Sequence, residues 1–203
     1  MQGAIRILLF RAALCCAAAP AGGAQMGEEA FFETTVYARG QDGYHTYRIP
    51  ALLATQAGTL LAFCEGRKNG PADFGDIDLV VKRSADNGAA WSEQAIVHEE
   101  GGDAEIAIGN PCPVQDRDTG IVWLPFCRDN RRVFVTWSED DGRSWAAPRE
   151  ITRDAVAPGW DWVATGPGVG IQLRGGPWKG RLAIPSDHRD DAAFLAQPAH
   201  GGG

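Results

Sequence analysis

No apolar run in the 203 residues reaches the roughly 18 that a membrane-spanning helix needs. Lysine is scarce: Lys68, Lys82 and Lys179 are three of 19 cationic residues, and the other sixteen are arginine. Most of the positive charge therefore sits on planar forks suited to carboxylates. Positive charge is also in deficit overall, with a formal net charge of −7. That removes the electrostatic case for nucleic acid, a polyanion that needs a basic face. The five cysteines show no Cys-x-x-Cys pair and no zinc-ligand spacing from a histidine, which argues against a structural zinc. Helical periodicity is missing throughout. What the chain has instead is 26 glycines and 12 prolines within a composition that is 44% hydrophobic and 22% charged. This is globular rather than disordered, and dense in turns, as all-β proteins are.

Residues 1–24 read as a secretory leader. Arg6 lies in a short basic start, Ile7 to Ala19 is mostly apolar although Arg11 interrupts it, and Ala21-Gly22-Gly23-Ala24 supplies small residues for a signal peptidase. The expected organisation is a leader over 1–24, a folded body over 25–189 and an unstructured tail over 190–203. The expected location is extracytoplasmic: secreted, periplasmic or membrane-associated. Removing the leader takes Cys15 and Cys16 with it. Cys64, Cys112 and Cys127 remain, enough for at most one internal disulfide.

The chain repeats itself. Ser84, Asp86, Gly88 and Trp91 recur as Ser138, Asp140, Gly142 and Trp145, in the pattern S-x-D-x-G-x-x-W, 54 residues on. Ile77 to Lys82 and Val133 to Trp137 are apolar, β-branched approaches, and Gln94 to His98 and Arg149 to Thr152 are short exits. Each copy is therefore expected to be a hairpin. Asp86 and Asp140 accept hydrogen bonds from turn N–H groups, Gly88 and Gly142 take φ > 0, and the tryptophans wedge beneath. That reading makes both aspartates structural rather than catalytic. Further strands are expected at Glu33 to Ala38, Ile49 to Ala54, Leu60 to Glu65, Cys112 to Gln115, Gly120 to Phe126, Gly170 to Leu173 and Arg181 to Pro185. Four-strand units of about 40–50 residues are the pattern of propeller blades.

The repeated hairpin is an Asp box, and its surroundings narrow the field. Tyr47-Arg48-Ile49-Pro50 resembles the motif that opens the sialidase (neuraminidase) domain. Leu60 to Arg67 follows, then Asp73 in an acidic loop, the first Asp box, Asn110-Pro111-Cys112-Pro113 and Ala164 to Leu173. The chain resembles exo-α-sialidases over residues 34–189. The resemblance implies a six-bladed β-propeller, of which about three blades are expected here. It implies removal of terminal sialic acid from glycoproteins, glycolipids or oligosaccharides, with no cofactor and no metal. Sialic acid-containing glycans are the implied partners. The alternative is a non-catalytic module that binds sialoglycans. A plain Asp-box receptor domain would not need this set of arginines and acid.

By the same resemblance, Arg48 is the first arginine gripping the sialic acid carboxylate, Arg67 a second pocket arginine and Asp73 the acid that protonates the leaving oxygen. Asn110 and Asp187 fall in pocket-lining segments. The chemistry fits: a guanidinium meets a carboxylate with two parallel donors, and a partly desolvated carboxylic acid serves as general acid. Asp76 is the alternative acid, and Asp78, inside an apolar strand, is expected to pair structurally. His45, His98 and His188 are expected at the surface or in turns. Sialidases use a tyrosine as nucleophile. Tyr37, Tyr44 and Tyr47 are the only tyrosines, and all precede the other site motifs, so none matches it. The segment from Leu124 to Arg131 is shorter than in relatives, which carry another pocket acid there. The functional residues should meet at the strand ends away from the Asp-box turns.

Overall fold

The computed structural model describes residues 4–10 and 31–190. Its strands, in chain order, are β1 (Ala4–Phe10), β2 (Phe31–Ala38), β3 (Thr46–Ala54), β4 (Leu60–Arg67), β5 (Ile77–Ser84) and β6 (Ala95–His98). They continue with β7 (Ile108–Gly109), β8 (Val114–Gln115), β9 (Val122–Arg128), β10 (Arg132–Ser138) and β11 (Arg149–Glu150). A single helical turn, α1 (Thr152–Ala155), precedes β12 (Trp160–Thr165), β13 (Ile171–Gln172), β14 (Leu182–Ala183) and β15 (Ser186–Asp190). Among the described residues no helix is long and apolar enough to cross a membrane.

Among the described residues every pair of strands is antiparallel, and one isolated bridge, Ile77 to Ala107, is parallel. The first blade is β3-β4-β5-β6. In the second, β7 and β8 both pair with β9, followed by β10 and β11. A third unit pairs β12 with β15 and β13 with β14. Within the segment read as a leader, β1 pairs with β2, from Ala4 opposite Ala38 to Phe10 opposite Phe31. Most of that segment, and the tail beyond Asp190, lie outside the described residues. Asp190, placed in the tail by the sequence reading, closes β15.

The core explains the blade stacking. Side chains alternate along a strand, so Leu61 and Phe63 of β4 with Leu79 and Val81 of β5 face the second blade. There they meet Ile108, Val122, Leu124, Phe126 and Phe134. The intervening Ala62, Cys64 and Val80 face the other way, onto Val36, Tyr37, Tyr44 and Tyr47. Every residue of β4 is consequently buried. Cys64, Cys112 and Cys127 are buried free thiols.

The two Asp boxes share their central bonds. Ser84 Oγ donates to Asp86 Oδ1 at 2.8 Å and accepts from the Gly88 N–H at 2.8 Å. Ser138 does the same with Asp140 and Gly142, at 2.8 and 2.8 Å. The Ala90 and Ser144 N–H groups close the turns on the respective aspartates. Left-handed φ falls on Asn87 and Gly88 in one copy, and on Asp141 and Gly142 in the other. Trp91 and Trp145 share a buried Nε1 without a partner, and each packs against one of the two apolar clusters.

A second repetition was not anticipated. The first strand of every unit breaks just before a proline. The register of β3 slips between Arg48 and Ala51, Asn110-Pro111 separates β7 from β8, and Gly166-Pro167 separates β12 from β13. The residue before each proline has positive φ: 53° at Ile49, 57° at Asn110 and 93° at Gly166. Proline disfavours the right-handed helical region for its predecessor and pushes it toward extended backbone, so the positive φ is set by the break in the strand and not by the proline. Glycine and asparagine accept the left-handed alternative readily, whereas a β-branched isoleucine does so only under constraint.

Candidate active site

Register decides which end of the first blade holds the site. Leu60 lies opposite Ser84, where the first Asp box begins, and Arg67 lies opposite Ile77 at the other end. On β3, Arg48 stands opposite Glu65, and its carbonyl accepts a 2.9 Å bond from Cys64 Sγ. Arg48, Glu65 and Arg67 thus gather at the end remote from the Asp boxes. The loop from 68 to 76 returns the chain to β5 and brings Asp73 over them.

Two guanidiniums meet on one oxygen. Arg48 Nη1 lies 2.6 Å and Arg67 Nη1 2.8 Å from Asp73 Oδ1. Arg67 is buried, and it is held from behind: its Nε and Nη2 donate to Glu65 Oε2 at 3.0 and 2.5 Å. Its Nη1 also donates to the carbonyls of Pro71 and Ala72, each at 2.7 Å, which ties down the acid loop. Asp73, by contrast, is largely exposed, with 70% of its side chain accessible. The other oxygen of Glu65 accepts the Asn110 N–H at 3.0 Å, so one buried carboxylate joins the two blades at the kink before Pro111. A Cβ at Gly109 would collide with that carboxylate. Burial pushes the Glu65 carboxyl above its ordinary range, and Arg67 and Asn110 oppose the shift without cancelling it.

Arg48, Arg67, Asp73 and Asn110 line one cleft of about 220 Å³, together with Ile49, Glu65, Asn130 and Trp162. Asp187 is not in it: it lies exposed on β15, opposite Ala164. Asp76 is buried against Lys68 Nζ at 3.1 Å. Asp78 accepts from the Tyr44 hydroxyl at 2.6 Å, the structural pairing its position suggested. The described histidines are elsewhere: His45 contacts Arg39 and Thr46, His98 meets Glu100, and His188 stacks on Trp160. Among the described residues no group of three or more His, Cys, Asp or Glu is placed to hold a metal ion.

Sequence reasoning missed Glu65, Asn130 and Trp162. Glu65 had a signal available, since strand alternation sets residues 65 and 67 on one face. Asn130 occupies a tight turn with φ of 53° at Asp129 and 50° at Asn130. Its Nδ2 donates to the Val163 carbonyl at 3.2 Å, which brings the third unit, and with it Trp162, to the cleft. No local pattern marks those two.

The family described as a BNR repeat-like domain matches residues 58–200. An exo-alpha-sialidase of Aspergillus fumigatus is 37% identical over 177 residues, covering 73% of this chain and 43% of that protein. A sialidase of Micromonospora viridifaciens is 34% identical over 77% of this chain and 27% of its own length. Among solved structures, a Hadza microbial sialidase superposes with a TM-score of 0.69 at 27% identity, over 76% of this chain and 35% of that one. The Trypanosoma rangeli sialidase solved with sialic acid shares the fold, with a TM-score of 0.57 at 18% identity over 78% of this chain and 28% of that one. The chain thus spans less than half the length of these relatives.

Proposed function

The chain belongs to the sialidase family through its BNR repeat-like domain, and on that premise we propose that the Arg48 cleft receives the carboxylate of a terminal sialic acid while Asp73 donates a proton to the leaving oxygen. The observation that carries this is the convergence of Arg48 and Arg67 on a single oxygen of Asp73. An incoming carboxylate that presents two oxygens to the Arg48 fork competes directly with that contact. A carboxyl freed from a cationic partner holds a proton more readily, which is what protonating a departing oxygen requires. Arg67, locked by Glu65, stays in place through the exchange. Asn110 and Asn130 supply polar edges, and Trp162 an aromatic wall.

For the hydrolysis of glycoproteins, glycolipids or oligosaccharides, the family route adds a tyrosine nucleophile and proceeds with retention. In this chain Tyr37 donates to the Ala62 carbonyl, Tyr44 to Asp78 and Tyr47 to Gln94, and none of the three lines the cleft. Burial pushes all three phenols well above the ordinary tyrosine range. This favours a second reading, in which the chain binds sialoglycans without turning them over. The reading of residues 1–24 as a leader adds an extracytoplasmic location, which N-terminal sequencing of secreted protein tests.

Calorimetric titration with the methyl glycoside of sialic acid, alongside a fluorogenic sialoside assay, separates the readings. Binding that Arg48→Lys weakens by about tenfold or more, as loss of a charge-assisted bond would, supports the carboxylate role. Binding with only trace turnover favours the binding module. Strong turnover restores the enzyme reading and makes some group other than the buried tyrosines the nucleophile. No binding at all sinks both.

A further inference from the structure

The broken first strands that deliver Arg48 and Asn110 to one cleft build another at their far ends. Ala54 of β3 pairs with Leu60, itself opposite Ser84 of the first Asp box. Gln115 of β8 pairs with Val122, itself opposite Ser138 of the second. There the portions of β3, β8 and β13 beyond each break enclose a cleft of about 360 Å³, against about 220 Å³ for the Arg48 cleft, and the two share no lining residue. Its walls are braced across all three units. The Gln56 N–H donates to Gln115 Oε1 at 2.7 Å, joining the first unit to the second. The Gly170 N–H donates to the Pro113 carbonyl at 2.9 Å and the Arg117 N–H to Gln172 Oε1 at 2.9 Å, joining the second to the third. Gly170 packs so closely that a Cβ there would meet Val114 Cβ at 2.9 Å. The cleft is therefore formed in advance of any ligand, as binding sites usually are.

Its chemistry is one-sided. Arg117 and Arg174 line it, and no acid does. Arg48, Arg67, Arg83, Arg128, Arg132 and Arg189 all hold carboxylates, whereas neither Arg117 nor Arg174 has an ion-pair partner among the described residues. Asp116 and Asp118, the neighbours of Arg117 in sequence, turn instead to Gln172, whose Nε2 lies 2.9 and 3.4 Å from their oxygens. The lining amides are already engaged: Gln172 with those acids, and Gln115 Nε2 with the Gly120 carbonyl at 2.9 Å. Two guanidinium forks are left to bind with, beside an apolar wall of Leu53, Val114, Ile171 and Leu173, of which Ile171 is 59% exposed.

We propose that this cleft binds a small organic carboxylate with a hydrocarbon body, its carboxylate on Arg117 and Arg174 and its body along Val114, Ile171 and Leu173. A guanidinium fork meets a carboxylate with two parallel donors, and a hydrocarbon body takes the exposed apolar wall out of water. A bare phosphate would use the arginines and leave that wall wet. A hydroxyl-covered acid sugar would press its hydroxyls on the wall, where the side-chain amides are already engaged. The site therefore differs in ligand class from the Arg48 cleft and stands independently of the reading of that cleft.

The test titrates the full ¹⁵N-labelled chain at neutral pH with acetate, hexanoate and inorganic phosphate, followed through the backbone amide signals. Hexanoate should move the signals of Val114, Gln115, Ile171 and Gln172 and bind tenfold or more tighter than acetate. A buried methylene is worth about fourfold, so that gain asks for burial of about two of the four added methylenes. Arg117→Gln and Arg174→Gln, both at exposed positions, should each weaken hexanoate by roughly two- to fivefold, the scale of an exposed ion pair, and by the product when combined. Ile171→Ser should shrink the gain of hexanoate over acetate and leave acetate itself unchanged. Arg48→Lys should alter none of this. Shifts confined to the surroundings of Arg48 overturn the site, as does a lack of binding by all three probes. Hexanoate affinity that survives the double arginine variant overturns the carboxylate contact. Equal affinity for hexanoate and acetate, or phosphate binding as tight as hexanoate, overturns the hydrocarbon body. The methyl sialoside titration tests the Arg48 reading separately, so either reading can fail without the other.

Discussion

Replacing Glu65 by leucine leaves the Arg67 guanidinium, only 2% accessible as a residue, without its principal counter-charge. Removing one member of a buried ion pair costs about 3–5 kcal/mol. Two details set the figure here. Arg67 keeps the Pro71 and Ala72 carbonyls and Asp73, which pulls the cost toward the low end. The Asn110 N–H loses its acceptor, which adds roughly 1 kcal/mol or more if the amide finds no other. Arg67→Met alone strands Glu65 in the same way, with a cost of similar size. The double variant Glu65→Leu/Arg67→Met buries no charge at all, so it should be more stable than either single variant. Urea denaturation at neutral pH, read at constant m, gives all three values. A double variant whose loss equals the sum of the singles within about 0.5 kcal/mol would refute the coupling. A second readout distinguishes positioning from mere stability. The stabilised double variant should still bind the methyl sialoside poorly, because Arg67 no longer anchors the loop that carries Asp73. Recovery of affinity together with stability would show that the pair only holds the blades together.

Asp140→Ala should cost about 1.5–3 kcal/mol in urea melts, since the carboxylate accepts charge-assisted bonds from Ser138, Arg143 and Ser144, and more than Asp86→Ala, whose carboxylate holds fewer. Desolvation pushes the Asp140 carboxyl up, but the bonds from Ser144, Ser138 and Arg143 outweigh it and hold it at about 2. A lowered folded value means that this stability is present above the ordinary aspartate value of about 3.9 and is lost as pH falls from there toward 2. The gap between the native chain and Asp140→Ala should therefore narrow over that interval. Gly142→Ala should be more destabilising than Gly58→Ala: both have left-handed φ, but only at Gly142 does a new Cβ meet a side chain, Leu61, at 2.7 Å. Ile49→Asn should be neutral or stabilising despite the lost apolar surface, because asparagine tolerates the left-handed region that costs isoleucine about 1–2 kcal/mol. The same change at buried Ile77 should destabilise by about 2 kcal/mol or more, and equal losses at the two sites would show that Ile49 is not strained.

What could be read in the sequence depends on how far each interaction reaches along the chain. The Asp box closes within a few residues, so Ser84, Asp86 and Gly88 announce their own turn, and the matching copy at Ser138 repeats it. Strand boundaries were similarly close at hand in the glycine and proline punctuation. Arg48, Arg67 and Asp73 were recognisable by resemblance, and the register of β3 on β4 together with the loop between β4 and β5 brings them together. Glu65 was passed over because it sits in a run that otherwise looks like buried strand. Its pairing with Arg67, two residues on along the same face, was within reach of strand alternation, whereas its bond to Asn110, in the next blade and 45 residues on, was not. Asp187, which resemblance placed in a pocket-lining segment, stands opposite Ala164 on β15 and is not among the residues that line this cleft. The left-handed Ile49 is the instructive case. Isoleucine has no local preference for that conformation, so propensity argues against it. Yet Ile49-Pro50, Asn110-Pro111 and Gly166-Pro167 recur once per unit at the same break in the first strand. The break therefore belongs to the blade rather than to the residue, and each unit fills it with what its surroundings tolerate: glycine, asparagine, and, beside the arginine that has to face the cleft, a strained isoleucine. Strain of this kind persists only where surrounding structure over-determines it. Beside Ile49 that structure is Arg48, held through its carbonyl by Cys64 and through its guanidinium by Asp73.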